Sequence, residues 1–234
     1  EARERLATIS ANQALGSGFK IAMKDLEAFR IPEGMDFPKV PGLSREAAEK
    51  LSRDPRATTD WAALAEANRE MLDSQAAHPE QGGMGTTVAG LAALPSDGVD
   101  EWVVFNVGDS RVYRLDADGI TQITRDHSEV RALLDAGLID ASEAATHPMR
   151  NVITRSLGSD PAPDVDVWQL PAVAGQRFVV CSDGVSNELS DEEILRISRE
   201  HEDPQAAAEQ LVAAAVAAGG RDNASVVVVA VTAA

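Results

Sequence analysis

Three aspartates lie next to apolar runs, at the points where predicted β-strands begin or end. Asp109 follows the run 102–107, Asp183 follows 178–181, and Asp222 comes shortly before 226–229. Side chains at strand ends can point into a shared space at the rim of a sheet. Mg²⁺ and Mn²⁺ prefer oxygen ligands, and Mg²⁺ combines a few carboxylates with waters and substrate phosphate oxygens. The pattern therefore indicates metal-dependent chemistry on a phosphate.

The same residues also have a purely structural interpretation. Gly-Asp, Asp-Gly and Asp-Asn are ordinary turn dipeptides whose side chains bond to their own backbone, and a single short motif is a weak signal. Three such turns, each beside an apolar run, are harder to explain as purely structural turns.

Composition limits the classes of function. The chain has 234 residues, 44% of them apolar and 25% charged, which is typical of one generous globular domain or two small ones. Its apolar stretches, such as 226–231, are all far shorter than the roughly 18 residues of a membrane-spanning helix. A lone cysteine, Cys181, excludes an intramolecular disulfide and suits a reducing compartment, so we expect a cytoplasmic protein. Because Cys181 lies in a predicted strand, we expect it to be a core residue.

Charge and histidine spacing narrow the partners. The net charge of −17 comes from 38 acidic and 21 basic residues, so nucleic acid is a poor partner. An acidic protein also repels phosphorylated substrates at long range, so a phosphate site here needs local cations, and metals are favoured. The four histidines are scattered and lack the spacing of a zinc site. The glycine-rich segment 82–87 lacks the lysine of a phosphate-binding loop and is interpreted as a tight turn.

The first half of the chain begins with helices and continues with strands. Helices are predicted over residues 1–19 and 60–75, and the proline-rich insertion 31–59 between them is predicted to be mostly loop. An antiparallel meander is then predicted from four strands, with a hairpin turn at 116–119: 86–94, 101–107, 111–115 and 120–123.

The second half mixes helices and strands. Helix starts are predicted at Ser128, at the capping boxes that begin with Asp140 and Ser190, and at Asp203, whose helix runs to about residue 218. Strands are predicted at 164–170, 176–181 and 224–232. Because strands mostly neighbour strands, the fold class is α+β on antiparallel sheets, not a doubly wound parallel fold.

Five phrases carry a resemblance to a known family: 83–87 (GMGTT), 106–111 (NVGDSR), 124–128 (TRDHS), 181–185 (CSDGV) and 220–225 (GRDNAS). Over about residues 83–232 the chain resembles the PPM-type (type 2C) metal-dependent serine/threonine protein phosphatases, especially the bacterial ones that oppose serine/threonine kinases. The resemblance implies a single domain over 1–234, a four-layer αββα fold with an antiparallel β-sandwich flanked by helix pairs, and a flap subdomain at 128–163.

The resemblance also implies a reaction and its ligands. Asp183 and Asp222 would bind a binuclear Mn²⁺ or Mg²⁺ centre, Asp109 and Asp183 would hold a third, weaker metal, and Asn223 would support the Asp222 turn. A metal-activated water would hydrolyse phosphoserine and phosphothreonine in proteins, so no side chain, Cys181 included, would be the nucleophile. The implied partners are phosphorylated proteins and a serine/threonine kinase.

One part of the family's pattern is not found in this sequence. The family carries an arginine that grips the phosphate and an aspartate that bridges both metals, on strands upstream of its first long helix. We therefore expect an upstream segment with these strands, and expect residues 1–234 alone to be inactive. The alternative function is a phosphatase-like interaction module that has lost catalysis.

Other polar residues near these motifs have structural interpretations. We expect Arg111 to pair with a neighbouring carboxylate on the hairpin instead of binding phosphate, and Ser128 to cap a helix, with 126–128 forming no catalytic dyad. His147, Arg150 and Arg155 could touch a phosphopeptide, but a solvated role is at least as consistent with the sequence.

Overall fold

The computed structural model describes residues 61–94 and 101–232. The predicted helix 1–19 and the insertion 31–59 lie outside these ranges.

In the described part of the chain, seven strands form two antiparallel sheets. The first sheet has the order β1-β2-β5, with β1 Val88–Leu94, β2 Glu101–Val107 and β5 Asp166–Pro171. The second has the order β4-β3-β6-β7, with β3 Arg111–Asp116, β4 Gly119–Gln122, β6 Arg177–Cys181 and β7 Val226–Ala230. All seven strands were predicted within a few residues of their observed limits, and the hairpin between β3 and β4 closes where it was predicted, with Asp116 opposite Gly119.

Four of the helices in the described ranges begin at the predicted caps. The helices are α1 Trp61–Ala77, α2 Glu129–Asp135, α3 Ala141–Thr146, α4 Asp183–Ser186, α5 Asp191–Glu200 and α6 Pro204–Ala218, with a 3-10 turn at Pro79–Gln81. Ser128 caps α2, Asp203 caps α6, and complete capping boxes begin α3 at Asp140 and α5 at Ser190. The single turn α4 was not predicted, because four residues are too few to show a helical period.

The predicted continuous meander is wrong. β2 pairs with β1 and β5, whereas β3 pairs with β4 and β6, so the chain changes sheets between Val107 and Arg111. Gly108 makes the change possible, since its φ of +112° lies in the region that favours glycine and a Cβ there would be 2.3 Å from Cγ2 of Thr87. The strand β5, far along the chain, takes the edge of β2 that a meander would give to β3.

The two sheets pack face to face between helical layers, which confirms the predicted αββα architecture. Val104, Val112 and Phe178 meet between the sheets, where the Phe178 and Trp102 rings have centroids 5.7 Å apart. Helices α5 and α6 cover the outer face of the second sheet through the buried side chains of Ile194 and Leu211. Helix α1 packs Leu64 on the outer face of the first sheet, where it is the only helix of the described ranges.

No helix within 61–94 and 101–232 combines the length and apolar character needed to cross a membrane.

Candidate metal and phosphate site

The three predicted aspartates come together. Asp109, Asp183 and Asp222 all line one cavity of about 380 Å³ at the end of the sandwich. Asp109 lies in the β2–β3 connection, Asp183 is the first residue of α4 directly after β6, and Asp222 lies in the loop before β7. The chain changes sheets at Gly108, so Asp109 lies in the connection from the first sheet to the second. Its carboxylate thus lines the same cavity as those of Asp183 and Asp222, which lie next to strands of the second sheet.

Two hydrogen bonds through the Ser182 hydroxyl join the Asp183 and Asp222 loops. The Ser182 hydroxyl donates to the carbonyl of Asn223 at 3.1 Å and accepts from the backbone N–H of Ser225 at 3.0 Å. A Cβ on Gly184 would lie 2.4 Å from that same Asn223 carbonyl oxygen. Only glycine therefore allows the two loops to approach this closely.

The Asp222 turn is held from both sides. The backbone N–H of Asn223 donates to Oδ1 of Asp222 at 2.7 Å, as expected of a residue that supports this turn. On the other side, Arg221 donates through Nε to the nearly buried carboxylate of Glu188 at 2.8 Å. These bonds orient the carboxylate of Asp222 before any ligand arrives.

Crowding in the cavity raises the pKa of Asp109 and of Asp183. Burial, and then the charge of Asp183, raise the pKa of Asp109 from 3.8 to about 6. Burial, and then the charge of Asp222, raise the pKa of Asp183. Such like-charge crowding is unfavourable in the protein alone and is relieved when a cation binds.

The three carboxylates supply part of what a hard divalent cation requires. All three groups offer carboxylate oxygens, which suits Mg²⁺ or Mn²⁺. Within the described ranges, however, no group of three or more His, Cys, Asp or Glu side chains is placed to hold a metal. The described residues therefore fit such a cation as part of a ligand set, with waters or other residues completing it.

Arg111 is paired with a carboxylate, as predicted, but that carboxylate, Asp126, lies beyond the hairpin and not on it. The Arg111 guanidinium donates to both oxygens of Asp126, the closest contact being Nη2 to Oδ2 at 2.6 Å, and Nη1 donates to the Tyr113 hydroxyl at 3.0 Å. The group lies below the carboxylates and lowers the pKa of Asp109 and Asp183, against the larger effects of burial.

Arg150 is the cavity cation without an ion pair in the described part of the chain. Its side chain is exposed and lines the cavity from the segment 128–163. The other lining arginines are each paired with a carboxylate: Arg111 with Asp126, Arg131 with Asp135, and Arg221 with Glu188. A positive charge at this position is therefore available to an anionic ligand.

His127 is a buried residue that the sequence interpretation missed. Ser128 does cap α2 as expected, by accepting from the N–H of Arg131 at 3.3 Å. The His127 ring, however, is packed against Gly108, Asp166 and Arg155. Because burial outweighs the hydrogen bond that the ring donates to Asp166, the pKa of His127 is lowered from 6.5. Arg155 is thus ion-paired with Asp166 at 2.8 Å, not simply solvated.

Cys181 is a buried core residue, as predicted. Burial raises the pKa of its thiol to about 12, so the thiolate that a nucleophile requires is not formed near neutral pH.

Comparisons with known proteins agree with this architecture. Residues 42–218 match the family Protein phosphatase 2C, so the chain belongs to that family. The serine/threonine phosphatase stp of Listeria innocua is 37% identical over 139 residues, which are 58% of this chain and 54% of that protein. The serine/threonine protein phosphatase PstP of Mycobacterium tuberculosis is 38% identical over 154 residues, which are 65% of this chain and 29% of PstP. The chain thus spans about half the length of the Listeria relative.

Solved structures show the same fold. The crystal structure of M. tuberculosis PstP superposes with a TM-score of 0.66 at 35% identity, covering 74% of this chain and 71% of that one. A PstP catalytic domain in complex with two manganese ions gives a TM-score of 0.65 at 34% identity, covering 75% and 71%.

Proposed function

We propose that this domain hydrolyses phosphoserine and phosphothreonine in proteins and that the reaction depends on divalent cations. The observation that carries the proposal is the convergence of Asp109, Asp183 and Asp222 on one cavity in a chain of the Protein phosphatase 2C family. A catalytically silent interaction module would not need three crowded carboxylates whose repulsion disfavours the fold.

The three aspartates would hold the cations. Asp183 and Asp222 would contribute to a central pair, and Asp109 with Asp183 to a third. Bound cations of this kind lower the pKa of a coordinated water and offset negative charge on a phosphoryl group. Arg150 would add a cation on the opposite wall, where the segment 128–163 faces the aspartates. Asn223, Glu188 and Arg221 would keep the Asp222 carboxylate in place.

The cysteine and the oxygen donors also support a choice of cation, of substrate and of cellular location. We propose Mn²⁺ or Mg²⁺ as the cations, since the described donors are all oxygens and a PstP catalytic domain binds two manganese ions. The substrates would be phosphorylated proteins, made by a serine/threonine kinase. A cytoplasmic location is consistent with the lone, buried cysteine.

The test uses the full-length natural protein with a phosphothreonine peptide and with p-nitrophenyl phosphate. We expect turnover with Mn²⁺ or Mg²⁺ and none in excess chelator. Asp183→Asn should abolish turnover, whereas the matched control Asp118→Asn, in the exposed hairpin, should retain it. Full activity in chelator, or in Asp183→Asn, would refute the proposal.

A further inference from the structure

The peptide group directly before Asp109 is held by His127. The N–H of Gly108 donates to Nδ1 of His127 at 3.0 Å, and the backbone N–H of His127 donates to the carbonyl of Gly108 at 2.9 Å. Nδ2 of the buried Asn106 donates to the same carbonyl at 3.0 Å. These three hydrogen bonds orient the two peptide groups on either side of Gly108, at the point where the chain changes sheets.

These bonds determine the tautomer of the ring. Since Nδ1 accepts from Gly108, the neutral ring carries its proton on Nε2, which lies 3.1 Å from Oδ2 of Asp166. Nη1 of Arg155 donates to the other oxygen, Oδ1 of Asp166, at 2.8 Å. Nη1 also lies 3.2 Å from Nε2, but because both groups are donors, each is satisfied by the carboxylate between them.

The ring therefore joins three separate parts of the fold. Gly108 belongs to the β2–β3 connection, Asp166 begins β5, and Arg155 belongs to the segment 128–163 that lines the cavity. The backbone reinforces this junction, because the N–H of Thr154 donates to the carbonyl of His127 at 2.8 Å. With its side chain only 5% exposed, the ring has no freedom to adopt another orientation without repacking.

We propose that His127 is a positioning residue that keeps Asp109 facing the cavity, and that Asp166 and Arg155 fix the orientation of its ring. The inference rests on the proposed function in one respect, the role of Asp109 as a cation ligand. It implies that the segment 128–163, through Arg155, influences cation affinity at Asp109. Losing a residue that orients a metal ligand typically costs about 10–100-fold in metal affinity.

Two substitutions test the two ring nitrogens of His127 separately. In His127→Asn, Oδ1 can take the place of Nδ1 and still accept from Gly108. In His127→Gln, the longer amide reaches the place of Nε2 near Asp166 but leaves Gly108 without its acceptor. We expect Mn²⁺ affinity at the Asp109-dependent site to fall about 10-fold or more in His127→Gln and to stay within a few-fold of wild type in His127→Asn.

Cation binding is measured by calorimetry on the full-length protein, with Asp109→Asn identifying the site that depends on Asp109. If His127→Gln binds Mn²⁺ like the wild type, His127 does not position Asp109. If the wild type has no Asp109-dependent site, the ligand assignment fails instead, and the Gly108 amide resonance decides the inference. That resonance should move strongly in His127→Gln and less in His127→Asn, and equal shifts would overturn the positioning role.

A spectroscopic measurement on the wild type reports the tautomer directly, and His127→Asn serves only to assign the signals. Long-range ¹H–¹⁵N correlation of the imidazoles in chelator should show one ring with an unprotonated Nδ1 and a protonated Nε2, whose signals are absent in His127→Asn. A ring protonated on Nδ1 could not accept from Gly108 and would overturn the inference.

Discussion

Asp109, Asp183 and Asp222 bring like charges into one cavity, and their surroundings favour a bound cation over bare carboxylates. Asp109 has its pKa raised to about 6 by burial and by Asp183, although Arg111 lies nearby. Arg111 cannot compensate fully, since its Nε and Nη2 already donate to Asp126 and its Nη1 donates to the Tyr113 hydroxyl. The neighbouring residues thus hold the three aspartates in place but do not neutralise their negative charge.

Substitutions of Asp183 and Asp109 should differ in their effects on turnover and on the number of bound cations. Asp183→Asn removes a carboxylate from the proposed central pair and should lower turnover by orders of magnitude with the fold intact. Asp109→Ala should lower turnover while two cations remain bound, because it removes only the outer ligand. Calorimetry or anomalous scattering counts the bound Mn²⁺ in each variant. Loss of every cation in Asp109→Ala would place Asp109 in the central pair or in the fold.

His127 should make the stability of the metal-free protein depend on pH. Burial lowers the pKa of His127 below its ordinary 6.5, so the unfolded chain binds a proton more readily than the folded one. The contribution of the neutral ring to stability is present above pH 6.5 and is lost as the pH falls through the lower folded pKa. Asp166, Arg155 and Arg125 are the charged groups that act on the ring.

The check is urea unfolding in chelator across pH 5–8. The stability advantage of wild type over His127→Asn should shrink as the pH falls below 6.5, because asparagine takes up no proton. A difference that stays constant over this range would contradict the lowered pKa.

At the scale of elements, local signals predicted most of the framework. The capping boxes at Asp140 and Ser190 specified helix starts, and alternating or continuous apolar runs specified the strands. The sheet change at Gly108 was not predictable from pairing preferences, because the partner that displaces β3 from β2 is β5, some 60 residues along the chain. The contact between His127 and Asp166 is equally long-range and has no local pattern. The three site aspartates were predictable because each lies at the end of a strand with a clear apolar signal.

Gly184 controls how closely two of these elements approach. A Gly→Ala change inside a helix ordinarily stabilises it by about 1 kcal/mol. Here the new methyl would lie 2.4 Å from the carbonyl oxygen of Asn223, so Gly184→Ala should instead destabilise the fold by about 1–3 kcal/mol. Chemical unfolding measures this, and Mn²⁺ calorimetry should show weaker binding because the Asp222 turn is pushed away from Asp183.

Ser186→Ala is the matched control in the same helical turn, since it adds no atom toward that carbonyl. A Gly184→Ala variant as stable as the wild type would mean that the Asp222 loop shifts freely and that its contact with α4 does not set the site.

At the scale of the whole molecule, the sandwich gathers the site at one end while the surface stays acidic. Among the described residues, Arg150 lines the cavity without an ion-pair partner, but the chain as a whole carries a net charge of −17. Long-range repulsion and local attraction therefore act in opposite directions on a phosphorylated substrate. Solvent ions screen the long-range repulsion far more than the local attraction inside the cavity, because the Debye length falls from about 30 Å at 0.01 M salt to about 8 Å at 0.15 M.

Substrate choice should consequently depend on the charges around the phosphorylated residue and on salt. Of two phosphothreonine peptides of equal length, one flanked by lysines and one by glutamates, the lysine-flanked peptide should have the higher kcat/KM at about 0.01 M salt. The preference should narrow several-fold at about 0.15 M, since the net charge acts over distances that the ions then screen. Saturating Mn²⁺ at both salt concentrations keeps cation occupancy constant, so the ratio of the two kcat/KM values reports association alone. A ratio that does not change with salt would show that only groups inside the cavity discriminate between the peptides.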